Sequence, residues 1–124
     1  MKPTIVLADD DLRFRSIVRS LLEADGYRVV AEAGDAEGTL EAAARHQPDV
    51  VVVDLVMEGS DGLDTVEELL AADPSRPVVV ISSLFDPVAE QDTVRLGAFY
   101  MEKVDGVEEL EHVIDLADSV SHRR

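Results

Sequence analysis

Short runs of β-branched residues alternate with longer amphipathic stretches along the whole chain. Strand-length apolar runs fall at Ile5–Ala8, Arg28–Ala33, Val50–Val53 and Val78–Ile81, with a weaker fifth at Ala98–Met101. Val50–Val53 is a run of valines without a polar break, the pattern of a strand covered on both faces, as in a parallel sheet. Between the runs the period changes. Phe14, Ile17, Val18, Leu21 and Leu22 recur as one helical stripe, and Gly26 is a natural stop.

The later helices carry their own punctuation. Asp35 is placed to cap a second helix over Ala36–Arg45, closed by Gln47-Pro48. A third is expected over Gly62–Ala72, with Leu63, Val66, Leu69 and Leu70 on one side and Pro74 beyond its end. Asp86-Pro87 reads as N-cap and first helical residue of a fourth, ending near Gly97. Val107, Leu110, Val113, Ile114 and Ala117 stripe the last, expected to stop near Ser119 and leave residues 119–124 as a polar tail. Five strands alternating with five helices mean βαβ units. Right-handed crossovers then give one α/β domain over residues 1–124, a parallel sheet doubly wound by helices.

Length and composition narrow the chemistry. At 124 residues the chain is sized for one domain, and 46% hydrophobic content is enough for a core. Twenty-seven acidic against 11 basic residues give a net charge of −16, which repels a phosphate backbone and disfavours an anionic membrane. There is no cysteine, which excludes thiol nucleophiles, disulfides and zinc–thiolate sites. The apolar runs are too short for a signal-peptide core or a membrane span, so a cytoplasmic protein is expected.

In doubly wound sheets, ligands sit at the carboxyl ends of the strands. This chain places Asp9, Asp10 and Asp11 after its first strand, Asp54 after its third, Ser82 and Ser83 after its fourth, and Lys103 after its fifth. All belong on one rim. Several carboxylates in one cleft repel one another, so they call for a cation: Lys103 supplies one charge, and a hard divalent ion such as Mg²⁺ suits the remaining oxygen donors. A carboxylate nucleophile flanked by a metal, an ammonium and a hydroxyl is equipped for phosphoryl transfer. Asp10 or Asp11 has a second possible role, as the N-cap of the first helix.

Five segments, Leu7–Asp11, Val51–Met57, Gly59–Leu63, Val78–Ser83 and Gly97–Lys103, together resemble the receiver domain of two-component response regulators. The resemblance covers nearly the whole chain. It implies a flavodoxin-like sheet of order 2-1-3-4-5, with Asp54 accepting a phosphoryl group from a phosphohistidine of a sensor histidine kinase or a phosphotransfer protein. It further implies that Asp9, Asp10, Asp54 and the backbone carbonyl of Val56 hold Mg²⁺, and that Lys103 pairs with the phosphate. Ser82 would take a phosphoryl oxygen, the Ser83 backbone would contact the phosphate, and Tyr100 would turn inward as the switch aromatic. The output surface would be the fourth helix, fifth strand and fifth helix, read by an effector protein or by an effector domain beyond the C-terminus, or used for a homodimer.

The chain departs from the family pattern at three points. Glu58 stands where a Pro is usual, Val104 follows Lys103 where many members have a cis-Pro, and Gly97 to Lys103 is six steps, one fewer than usual. The first predicts a less rigid loop after the third strand. These departures support an alternative, a receiver-like interaction module that does not switch. A phosphatase resembling the haloacid dehalogenases would need a second acid two residues after Asp54, where this chain has Val56. His46, His112 and His122 stand on no phosphate-accepting motif, so the phosphodonor must be another molecule.

Overall fold

The computed structural model describes residues 2–59 and 63–121. The strands are β1 Thr4–Ala8, β2 Arg28–Ala33, β3 Val50–Asp54, β4 Val78–Ser82 and β5 Phe99–Glu102. The helices between and after them are α1 Leu12–Ala24, α2 Ala36–His46, α3 Asp64–Ala72, α4 Pro87–Leu96 and α5 Gly106–Ser121. A 3-10 turn at Lys103–Asp105 joins β5 to α5. The sheet is parallel throughout, in the order β2-β1-β3-β4-β5. The order reverses between β1 and β3, which puts the rim crevice between those two strands.

Strand pleating divides the core in two. Ile5, Leu7, Val50, Val52, Val79, Ile81 and Met101 face α1 and α5, where Val18, Leu22, Leu110, Ile114 and Ala117 cover them. Their neighbours Val6, Ala8, Val51, Val53, Val78 and Val80 face the other way, onto Ala43, Val66, Leu69 and Ala89 of α2, α3 and α4. A β-strand alternates its side chains, so uninterrupted valine runs fill both layers at once.

The helix ends follow the expected punctuation with small shifts. Asp11 caps α1 by accepting from the Arg13 and Phe14 amides, Asp35 caps α2 through the Gly38 amide, and Asp86 caps α4 through the Ala89 amide. Gly97 closes α4 at φ 90°, a left-handed conformation that favours glycine. α2 runs one residue further than expected, to His46, the fifth strand lies one residue later than expected, and two other helix boundaries also differ. The helix expected over Gly62–Ala72 begins at Asp64 in the described residues, with Leu63 as a cap that makes no side-chain bond, and Gly62 lies outside those residues. The last helix continues past Ser119 to Ser121, whose hydroxyl donates to the Ser75 carbonyl at 2.6 Å, and residues 122–124 of the expected tail lie outside the described residues. A hydrogen bond to the turn before β4 thus carries the helix beyond its apolar stripe.

Candidate functional site

Pleat parity decides which groups meet. Asp9 continues the alternation of Ile5 and Leu7, Asp54 that of Val50 and Val52, and Lys103 that of Phe99 and Met101. All three leave the sheet on the α1/α5 side. Ser82 continues the parity of Val78 and Val80, and Tyr100 packs on that second layer, beside α4. The rim therefore holds two groups of residues: a charged cluster over one layer and a hydroxyl pair over the other.

In the charged cluster, Asp9 is fully buried and Asp54 is 9% exposed, while Asp10 is exposed. One carboxylate oxygen from each of Asp9, Asp10 and Asp54 lies within 4.8 Å of the others. The Lys103 ammonium sits 2.6 Å from Asp9 Oδ2 and donates to Asp54 Oδ2 at 3.4 Å. The Lys103 ammonium is thus the close partner of the buried Asp9 Oδ2. The other Asp9 oxygen accepts from the Asp11 amide at 2.9 Å, and Asp54 Oδ1 accepts from the Val56 amide at 3.3 Å. Asp11 is thus the cap of α1, which leaves Asp10 free for the cleft.

The electrostatics follow from this crowding. Burial, then the charge of Asp9, pushes the Asp54 carboxyl up from 3.8 to about 6, against the pull of Lys103 and the Val56 amide. Burial works against the Lys103 ammonium, but the Asp9 and Asp54 carboxylates outweigh it and hold its pKa above the ordinary value. Three carboxylates against one ammonium, with an oxygen of each within 4.8 Å of the others, make a donor set of hard oxygens that fits a Mg²⁺ ion. The ammonium also lies 4.3 Å above the Phe14 ring centre, which keeps its stem in place on the α1 side.

In the hydroxyl pair, Ser82 Oγ donates to the Leu84 carbonyl at 2.6 Å, and the Tyr100 hydroxyl lies 3.5 Å from the same oxygen. Ser83 follows, exposed, at the head of the loop to α4, with Leu84 and Phe85 exposed after it. Val56, expected to offer its carbonyl, is 73% exposed, with its amide on Asp54 Oδ1. A groove of about 830 Å³ opens next to it between α3 and α4, with Leu55 and Val56 in one wall and Val88, Asp92 and Leu96 in the other.

Over residues 5–115 the chain matches the model of the response regulator receiver domain. It belongs to that family. The transcriptional regulatory protein PdtaR of Mycobacterium tuberculosis is 31% identical over 116 residues, 93% of this chain and 56% of the relative. Response regulator GacA of Pseudomonas aeruginosa is 34% identical over 115 residues, 92% of this chain and 54% of GacA. The chain thus spans about half the length of these curated relatives. The signal receiver domain of the putative response regulator NarL from Mycobacterium tuberculosis superposes with a TM-score of 0.84 at 27% identity, covering 99% of this chain and 98% of that one. The standard role of receiver domains is to be phosphorylated by a kinase in two-component signalling.

The three departures take a definite form in this receiver domain. The Glu58 carbonyl accepts from the Ala36 amide at 3.0 Å, so the first turn of α2 holds the loop after β3 where a proline is absent. Lys103 reaches both carboxylates across a trans peptide to Val104, all described peptide bonds being trans. The shortened connection before β5 is only Gly97-Ala98. Of the motif Gly59–Leu63, residues 60–62 lie outside the described residues. Among the described residues no helix is long and apolar enough to cross a membrane.

Two participants were not visible in the sequence pattern. Phe14 reads as one member of the α1 stripe, yet its ring lies beneath the Lys103 ammonium. Arg15 belongs to no motif of the sequence, yet its guanidinium donates to the Asp9 carbonyl at 2.7 Å. A signal for the second does exist. Glu32 is a charge inside a strand, where burial demands a partner, and Arg15 and Arg19 lie four apart on α1 and both reach it.

Proposed function

We propose that this chain is a phosphorylation switch in which Asp54 is the phosphoacceptor. A carboxylate oxygen of Asp54 attacks the phosphorus of a phosphohistidine on a sensor histidine kinase or phosphotransfer protein. The P–N bond breaks, its electron pair stays on the imidazole nitrogen, and an acyl phosphate forms on Asp54. At pH 7 a carboxyl with a pKa of about 6 is mostly ionised and able to attack. Asp9, Asp10, Asp54 and the Val56 carbonyl would hold Mg²⁺, which supplies positive charge to the phosphoryl oxygens. Lys103 is already beside Asp54 and pairs with the incoming charge. The chain catalyses no turnover beyond its own phosphorylation and dephosphorylation.

The hydroxyl pair supplies the readout. To reach a phosphoryl oxygen, Ser82 gives up the Leu84 carbonyl, and the nearby Tyr100 hydroxyl can take that acceptor as the ring turns inward. The exchange leaves no carbonyl without a donor and carries the change to the α4 layer, because Ser82 and Tyr100 share that face. The Ser83 amide would contact the phosphate at the head of the same loop. The face formed by α4, β5 and α5 would meet an effector protein, an effector domain or a second copy of the chain. A donor kinase charged from ATP would act in the cytoplasm, which supports that location for the protein, and the charge of −16 would leave nucleic-acid contact to the effector.

The observation that carries this reading is the Asp54 carboxylate, nearly buried between two other carboxylates and bonded to Lys103. Incubation with Mg²⁺ and acetyl phosphate, followed by mass spectrometry, should add one phosphoryl group to the native protein and none to Asp54→Asn. No gain, or a gain that survives Asp54→Asn, would exclude it.

A further inference from the structure

The acidic turn hangs between β1 and α1, and something must fix its shape before an ion arrives. Asp9 is fully buried, but Asp10 is exposed, and its carboxylate belongs to the metal-sized cluster. The direction of the Asp10 side chain depends on the plane of the Asp9–Asp10 peptide. Arg15 holds the carbonyl of that peptide with Nη1 at 2.7 Å. The same nitrogen lies 3.4 Å from the Ala33 carbonyl, which also accepts from the Asp9 amide at 3.0 Å. Both polar groups flanking the Asp9 α-carbon are therefore tied to one point at the end of β2.

The guanidinium is itself held. Its Nε pairs with Glu32 Oε1 at 2.9 Å, and the other Glu32 oxygen pairs with Arg19 Nη1 at 2.7 Å. The Arg15 side chain is only 16% exposed, so these charge-assisted bonds are partly shielded from water. Gly34 leaves room for it: a β-carbon there would stand 3.0 Å from Arg15 Nη1.

We propose that Arg15, anchored by Glu32, is a positioning residue that sets the Asp9–Asp10 peptide and thereby the metal affinity of the acidic cleft. The proposal rests on the Mg²⁺ reading above. Groups that orient metal ligands from behind typically change metal affinity by about 10–100-fold when removed. Charge alone predicts the opposite sign. Deleting a cation near three carboxylates tightens Mg²⁺, whereas loosening the peptide that carries Asp10 weakens it.

Calorimetric titration of Mg²⁺ into the metal-free protein separates the two. Arg15→Met should weaken Mg²⁺ binding by about tenfold or more. Arg19→Met is the control: it loses the same Glu32 and a bond to the Val29 carbonyl, touches nothing in the cleft, and should leave Mg²⁺ affinity within about twofold. Unchanged or tightened binding in Arg15→Met, or equal weakening in both variants, overturns the proposal. A second readout needs no metal. The Asp11 amide, bonded to Asp9 Oδ1, should exchange with solvent faster in Arg15→Met than in the native protein or in Arg19→Met. Should Arg15→Met fail to fold, Arg15→Lys keeps the charge without the fork and should show the same weakening. If the native protein binds no Mg²⁺, the metal reading falls, and unchanged Asp11 exchange in the variant would then refute the clamp independently.

Discussion

Replacing Asp54 with Asn should stabilise this protein, and by an amount that depends on pH. Asp54 is nearly buried beside Asp9, and its carboxyl is pushed from 3.8 to about 6. At about 1.4 kcal/mol per pKa unit, holding that group ionised in the fold costs about 3 kcal/mol relative to the unfolded chain. The folded state keeps its proton up to about pH 6, while the unfolded state loses it near 3.8, so the folded state binds more protons between these values. Stability due to this group is therefore intact below pH 4, falls as pH rises from about 4 to 6, and stays low above that. Asn resembles the protonated carboxyl in shape and carries no charge. Urea denaturation in chelator should give nearly equal stabilities for the two proteins at pH 4. The variant should gain about 3 kcal/mol at pH 7.5, a figure that already includes the loss of the ion pair with Lys103, because the raised pKa is set against the pull of that ammonium. In thermal melts that corresponds to a rise on the order of 10 °C. A variant less stable than the native protein at pH 7.5, or a difference that does not change between pH 4 and 7.5, would refute the reasoning.

Removing the cation should do the reverse. Lys103→Met leaves Asp9 and Asp54 facing each other without the ammonium, which should cost about 3–5 kcal/mol at neutral pH in chelator, recover toward pH 5 as Asp54 protonates, and abolish phosphorylation by acetyl phosphate. Asp10→Asn should barely alter stability in chelator, because Asp10 is exposed, but should remove the Mg²⁺-dependent rise in melting temperature, worth about 2.7 kcal/mol at a hundredfold excess over the dissociation constant. Ser82→Ala should cost about 1 kcal/mol, the worth of its bond to the Leu84 carbonyl, and should leave Asp54 phosphorylation intact while cancelling the change in Tyr100 resonances that accompanies it. In the core, Ile114→Ala should lower stability by about 2–5 kcal/mol, whereas Leu116→Ala, 56% exposed on the same helix, should stay within about 0.5 kcal/mol.

The linkage between the two groups at the rim follows from where they sit. In the proposed switch a phosphoryl group on Asp54 would form over the α1/α5 layer, whereas the Ser82 hydroxyl that would answer it begins on the α4 layer. The signal would then cross the sheet at one hydroxyl. α4 is suited to respond, since Ala89 and Thr93 are its only buried residues while Val88 and Val94 remain exposed. A helix held by so little buried surface is inexpensive to shift.

Strand and helix positions were legible because their signals are local. Valine runs, the Asp35 and Asp86 caps and the stops at Gly26 and Gly97 each act within a few residues of themselves. The alternation of elements also implied a parallel sheet whose strand ends share one rim, which was enough to bring Asp9, Asp10, Asp54 and Lys103 together as candidates. Tertiary structure decided the rest. It chose Asp11 rather than Asp10 as the cap of α1, because only one of the three aspartates can lie over the helix amides while its neighbours turn to the cleft. It extended α5 to Ser121 through a bond to a residue 46 positions away. It put Phe14 under Lys103 and Arg15 behind Asp9, contacts between a helix and strands that no spacing along the chain encodes. The clustered aspartates already called for a cation; only the packed fold, by burying Asp9 and nearly burying Asp54 beside it, turned that need into one site with a perturbed carboxylate at its centre.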